Sequence, residues 1–354
     1  MTTILFALLA LVALVWAITV FYLRGPDLSA FDQVAPERSG AVAPPSPEHL
    51  AVVASLSGIT EIISSTPRRQ HLAVLRRYMD SMFESDTVGV QITPVDAGGV
   101  AAEWVQAPGV DNGRRLLYIH GGAYTMGSPK SHRRLTSKLS ELANAAVLAI
   151  DYRLMPEHPR MAGIEDSRSA YRWLLANGPA APATASAIFV AGDSAGGNLT
   201  LSLVAWVRDQ GLRAPDAAVA LSPATDGTLG SPSLKSNLAT DPMLGPLFKS
   251  LTKIPRSVLL WGSWLANRIR PCDPLVSPVF GDLSGLPPLL VQASDMEMLR
   301  DDSQRYVNKA RAAGSPVSLQ TWPHMVHVWQ IFHPDLPEGQ QALAEIGKFL
   351  QARS

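Results

Sequence analysis

One cysteine, Cys272, stands among 354 residues. It excludes an internal disulfide and any cysteine-rich zinc or iron–sulfur centre. Charge is also sparse. Lys+Arg and Asp+Glu number 30 each, the formal net charge is +0, and charged residues make up 17%. With no basic run, no nucleic-acid partner is expected. Hydrophobic residues at 47% exclude a disordered chain, which would be polar and charge-rich. Aromatics reach 7%, whereas 28 Pro and 26 Gly demand many sharp connections. No internal repeat, Walker-type phosphate loop or metal-ligand spacing is evident, so no metal site is expected.

What the chain does have is one long apolar run. Residues 4–23 carry no charge. At about 1.5 Å per residue this run spans roughly 30 Å, the hydrocarbon thickness of a bilayer. Arg24, Gly25 and Pro26 end it. The rival reading is a signal peptide, which would leave a secreted or periplasmic chain. That reading wants a basic stretch before the run and a small-x-small site just after it. The nearest such site, Ala41-Val42-Ala43, lies well downstream and is followed by Pro44. A single-pass N-terminal membrane anchor over 1–24 is therefore the favoured expectation.

A Pro/Ser/Ala-rich stretch at 25–46 reads as a linker. Amphipathic helices are expected at about 47–65 and 67–85. The second is marked by Leu72, Leu75, Tyr78, Met79 and Met82, with Arg68, Arg69, Arg76 and Arg77 on or near its other face. They form a unit, 47–87, that cannot bury itself alone and must pack on the domain C-terminal to it. From residue 88 short apolar strands alternate with helices. Strands are expected at 88–94, 101–106, 115–119, 146–152, 187–191, 217–222, 287–293 and 316–322. Helices are expected at 131–143, 163–177, 196–210, 301–313 and 337–352. This pattern predicts one α/β domain, 88–354, with a mostly parallel sheet covered on both faces and an antiparallel hairpin at one edge. An insertion at about 223–275 breaks the rhythm and would lie over the carboxyl ends of the strands, where ligands bind in such folds.

Strand 187–191 runs into Gly192-Asp193-Ser194-Ala195-Gly196-Gly197 and then a helix. This is G-x-S-x-G in the strand–turn–helix setting that lifts a serine above a sheet. At average Gly and Ser usage roughly 0.1 chance matches are expected, so the setting matters more than the motif. After strand 115–119 comes His120-Gly121-Gly122-Ala123-Tyr124, whose small residues leave backbone N–H groups reachable for a developing oxyanion. A serine needs a base, and the base needs an orienting acid. Asp295, Glu297, Asp301 and Asp302 follow strand 287–293, and His324 and His327 follow strand 316–322.

These segments resemble the hormone-sensitive-lipase-like branch of the α/β-hydrolases, bacterial esterases in particular. The resemblance is carried by HGGAY at 120–124, DYRLMPEHP at 151–159, GDSAGG at 192–197, SPVFGDLSGLPPLL at 277–290, EMLRDD at 297–302 and MVHVWQ at 325–330. It covers about 67–352 and extends to short-chain carboxylesterases and monoterpene lactone hydrolases. It implies a carboxylic-ester or lactone hydrolase without a cofactor, acting on small molecules beneath a helical cap. It selects Glu297 as the acid and His327 as the base, with Ser194 as nucleophile. Asp301 and Asp302 would then cap the next helix, and His324 and His333 would be surface or cap residues. Backbone N–H groups among Gly121, Gly122, Ala123 and Ala195 would form the oxyanion hole, and Tyr124 and Asp193 would shape the pocket. Ala123 stands where a third Gly is common, and Arg160-Met161 stands where the family usually has Phe-Pro. The rival from another class is a non-catalytic binding protein on the same fold.

Overall fold

The computed structural model describes residues 2–32, 37–38, 44–82 and 89–353. Their centre is one sheet in the order β1-β9-β8-β7-β6-β4-β5-β3-β2. β1 is the two-residue Glu37–Arg38. The others are β2 (Gln91–Asp96), β3 (Ala101–Gln106), β4 (Arg114–Ile119), β5 (Ala146–Ile150), β6 (Ala187–Asp193), β7 (Ala217–Leu221), β8 (Leu289–Ser294) and β9 (Val317–Trp322). From β5 through β4, β6, β7 and β8 to β9 all pairings are parallel; β3 joins β5 antiparallel, and the β2–β3 hairpin closes that edge. The hairpin turn uses Gly98 and Gly99 at positive φ, with the Gly99 N–H donating to Asp96.

The helices are α1 (Thr2–Ala17), α2 (Pro47–Ser55), α3 (Ser57–Ser65), α4 (His71–Ser81), α5 (Arg133–Ala143), α6 (Arg160–Leu174), α7 (Ser194–Asp209), α8 (Ser233–Ser236), α9 (Leu244–Phe248), α10 (Arg256–Asn267), α11 (Arg300–Ala312) and α12 (Pro337–Gln351). Alternate side chains of each strand enter opposite cores. Leu117 and Ile119 of β4 join the cluster under α6, α7 and α11, whereas Leu116 and Tyr118 join the one under α5 and α12. Burial of each such side chain contributes about 1.5–3 kcal/mol, so the continuous apolar strands fit only between two helical layers.

The N-terminal helices cover loops at the carboxyl ends. Val52 of α2 and Leu56 at the α2–α3 break pack with Trp322, Met325 and Trp329. Arg76 does not face outward. Its guanidinium donates to Thr125 O and Met155 O and pairs with Glu157, tying α4 to the two loops that follow β4 and β5. The first expected helix breaks into α2 and α3 around Leu56. Residues 83–85 of the second, and 33–36 and 39–43 of the expected linker, lie outside the described residues. Residues 25–32 lie against the sheet domain: Asp32 pairs with Arg305, and Phe31 O accepts from Asn308.

Candidate active site

Parallel register brings four strand ends to one edge. Ile119 lies beside Gly192, and Ser294 beside Trp322. The residues just past β4, β6, β8 and β9 therefore meet, although they are distant in sequence. Ser194 sits at the turn from β6 into α7 with φ 51°, a left-handed conformation that costs a non-glycine residue about 1–3 kcal/mol. Space around the turn dictates its glycines. A Cβ on Gly196 would collide with Ile119 O and lie 2.5 Å from His120 O, both fixed backbone atoms. Gly196→Ala is expected to destabilise the protein by about 1–3 kcal/mol through overpacking. It should also misplace Ser194, read as a lower melting temperature together with slower labelling by a fluorophosphonate.

Ser194 Oγ lies 2.9 Å from His327 Nε2, and His327 Nδ1 lies 2.6 Å from Glu297 Oε2. The carboxylate accepts, so Nδ1 carries the proton and Nε2 is free to accept from the serine. Glu297 is fully buried, and its other oxygen accepts from Ser294 N–H at 2.8 Å. Burial works against a charged His327, but the bond and charge of Glu297 outweigh it, and its pKa is raised. Among the other acids, Asp295 is half-buried and its carboxylate makes no hydrogen bond among the described residues. Asp301 and Asp302 do not cap α11; its N-cap residue is Leu299, and the Asp301 N–H donates to Ser233 Oγ. Their carboxylates reach into the insertion instead: Asp301 accepts from Ser233 N–H, and Asp302 from the N–H groups of Thr225 and Asp226. Burial, and then the charge of Asp226, push Asp302 up to about 7. His324 is exposed on the loop that carries His327.

The loop after β4 departs from expectation at Gly121. Its N–H donates to Asp193 Oδ1 at 2.9 Å, so it is not available to an oxyanion. The N–H groups of Gly122 and Ala123, and that of Ala195 in the first turn of α7, have no partner among the described residues. Asp193 points under this loop and does not line the pocket. Its carboxylate accepts from Tyr118 Oη at 2.6 Å and lies 3.4 Å from His132 Nε2. Burial opposes charge on both groups, yet each prevails for the other: His132 is raised and Asp193 lowered. His120 donates from Nδ1 to Gly121 O and stacks on Tyr152 at 4.4 Å. Burial, then His132, push its pKa down to about 3, so it is neutral. Tyr118 and His132 escaped the sequence reading because nothing in their local motifs marks them.

A cavity of about 330 Å³ opens above Ser194, walled by Leu229, Leu234, Leu244, Phe248 and Val276. Tyr124 lines it, as does Arg160, whose guanidinium stacks 3.6 Å over the Tyr124 ring and donates to Asn198 Oδ1. Among the described residues no group of three His, Cys, Asp or Glu could hold a metal ion. The arrangement is a hydroxyl, a base and a buried acid beside unpaired N–H donors.

A family profile described as the alpha/beta hydrolase fold matches residues 116–331, which include Ser194, Glu297 and His327. The chain belongs to the α/β-hydrolases. Within that family it is similar to an acetyl-hydrolase of Streptomyces hygroscopicus, 42% identical over 257 residues, which are 73% of this chain and 81% of that protein. It is also similar to the carboxylesterase/phospholipase LipF of Mycobacterium tuberculosis, 35% identical over 270 residues, 74% of this chain and 69% of that protein. A solved esterase from the bacterial hormone-sensitive lipase family superposes with a TM-score of 0.75 at 37% identity, over 88% of this chain and 99% of that one. This α/β-hydrolase is an esterase of the hormone-sensitive-lipase-like branch, a serine hydrolase.

Proposed function

We propose that this esterase cleaves short- to medium-chain acyl esters through Ser194, His327 and Glu297. His327 takes the Ser194 proton as Oγ attacks the ester carbonyl. The N–H groups of Gly122, Ala123 and Ala195 hold the oxyanion, and Glu297 steadies the imidazolium. His327 returns its proton to the leaving alcohol, then activates water to release the acid from Ser194. The continuous Ser194–His327–Glu297 hydrogen-bond chain carries this reading. A cavity of about 330 Å³ lies at the small end of ligand sites and supports the limit on acyl length. A p-nitrophenyl ester panel is the test. Turnover should peak among short and medium acyl chains and fall for long ones; a rising profile through long chains would defeat the length assignment.

The apolar helix supports a second part of the reading, an uncleaved anchor. Thr2–Leu23 is 22 residues, α-helical to Ala17 and π-helical over Ile18–Leu23, roughly 30 Å long, and none of its most apolar stretch is buried. Its end is built into the protein: Leu23 is 0% exposed, and Tyr22 O accepts from Cys272 Sγ. Signal cleavage after the run would strip these contacts away. Full-length protein should stay in the membrane pellet through alkaline carbonate. Recovery of a mature native chain lacking 1–23 would favour the signal peptide.

A further inference from the structure

The anchor does not stop at the edge of the domain; it docks on the cap. Trp261 Nε1 donates to Thr19 Oγ1 at 2.8 Å. The Tyr22 ring meets Trp264 edge-on at 5.9 Å, Trp264 meets Trp261 at 5.3 Å, and Arg270 sits 5.2 Å over Tyr22. Thr19 lies four residues before the end of the apolar helix, in its last stretch, Ile18–Leu23, which is wound as a π-helix. Trp261, Trp264 and Tyr22 therefore stand where a spanning helix leaves the hydrocarbon, the depth at which Trp and Tyr are enriched.

Beside this junction the cap has an unusual surface. A helix face exposed to water is ordinarily charged. The exposed residues of α10 are Ser257, Val258, Gly262, Leu265 and Ala266, none of them charged. Val258 is 56% and Leu265 52% exposed, and the preceding segment adds Leu251 and Ile254. Between Asp241 and Asp273 there is no acidic residue, and Lys249, Lys253 and Arg268 are exposed there, whereas Arg256 turns inward to Thr228 and Arg270 pairs with Asp273. Exposed apolar side chains among basic ones are the chemistry of a segment lying on anionic lipid. The same helix also reaches the reaction site, since Ser263 and Asn267 line the cavity with Ser194.

We propose that the cap surface formed by residues 249–268 lies on an anionic phospholipid bilayer beside the anchor, and that the cavity takes its ester from that bilayer. The proposal rests on the uncleaved-anchor reading. The bilayer that covers the exposed helix α1 is continuous with the surface that adjoins it, and the basic excess matches its headgroups. The substrate class is then an acyl ester dissolved in the membrane, which reaches Ser194 past α10 without crossing water.

The test uses the full-length protein in vesicles of phosphatidylcholine, with and without phosphatidylglycerol. Two substrates are compared: water-soluble p-nitrophenyl acetate, and dioctanoylglycerol carried in the bilayer. Wild type should hydrolyse the bilayer ester, and faster when phosphatidylglycerol is present. Val258→Asp with Leu265→Asp should slow that reaction about tenfold or more and leave p-nitrophenyl acetate turnover unchanged. Lys249→Glu with Lys253→Glu should remove the phosphatidylglycerol dependence. Equal rates of wild type and variants on the bilayer ester would overturn the docking face, as would an equal loss on both esters. A change of oligomeric state in detergent with unchanged vesicle rates would assign the face to a second copy instead. Release of wild type by carbonate would overturn the anchor and the docking face with it.

Discussion

Ser194→Ala is expected to reduce ester hydrolysis by about 10³-fold or more and leave the fold intact, because a nucleophile and its base act as a unit. In the proposed mechanism the Oγ is the atom that attacks, and among the described residues no other hydroxyl stands within hydrogen-bond reach of His327 Nε2. Stability should hold for a specific reason. The strain at φ 51° comes from the Cβ, which alanine shares with serine, so the turn is neither relieved nor worsened. The lost hydrogen bond is to a half-buried hydroxyl and is worth about 0.5–1.5 kcal/mol. Turnover of p-nitrophenyl butyrate and thermal unfolding should be measured on the same preparation. A folded Ser194→Ala protein that still turned over at the wild-type rate would sink the nucleophile assignment. An inactive and unfolded one would mean the elbow needs the hydroxyl for more than chemistry.

The elements that position Ser194 were legible because they are local. The apolar run 187–191, the glycines of the turn and the amphipathic helix behind it sit within 25 residues, and each speaks through composition or period. The mostly parallel sheet with its antiparallel edge hairpin followed from the alternation of strands and helices, but its strand order did not. What could not be read were contacts made only by folding. Tyr118 and Asp193 are 75 residues apart, and their bond exists because β4 and β6 are neighbours in the sheet. That bond and the one to Gly121 decide which N–H groups of the loop remain open, so the Gly121 assignment failed for want of topology. Asp301 and Asp302 looked like helix caps by position. The insertion, folded back over β7, offered them the buried N–H donors of Thr225, Asp226 and Ser233, and Ser233 Oγ takes the Asp301 N–H at the start of α11. Arg76 failed similarly: helical spacing put it outside, but two carbonyls left by the loops after β4 and β5 drew it in.

Glu297→Gln is the second large effect, expected to lower kcat by about 10³–10⁴-fold with little loss of stability. The geometry says why an isosteric amide should be so damaging. Ser294 N–H donates to one carboxylate oxygen at 2.8 Å, and His327 Nδ1 meets the other at 2.6 Å. A backbone donor cannot adapt, so glutamine must keep its carbonyl oxygen toward Ser294 and turn its amide nitrogen toward His327. That nitrogen only donates. His327 would have to accept at Nδ1 and carry its proton on Nε2, where it can no longer take one from Ser194. The pH profile separates this from a general disturbance. As the proposed base, His327 must be neutral, so the rate should rise as pH climbs through its pKa. Glu297 raises that pKa above the ordinary 6.5, which puts the wild-type acid limb above 6.5. Without the carboxylate charge, burial acts unopposed by it and the limb should move to lower pH while the plateau collapses. Asp295→Asn, which loses no hydrogen bond among the described residues, should change kcat less than about threefold and leave the limb in place. If Asp295→Asn proved inactive and Glu297→Gln kept both its plateau and its acid limb, the acid would have to be reassigned to Asp295.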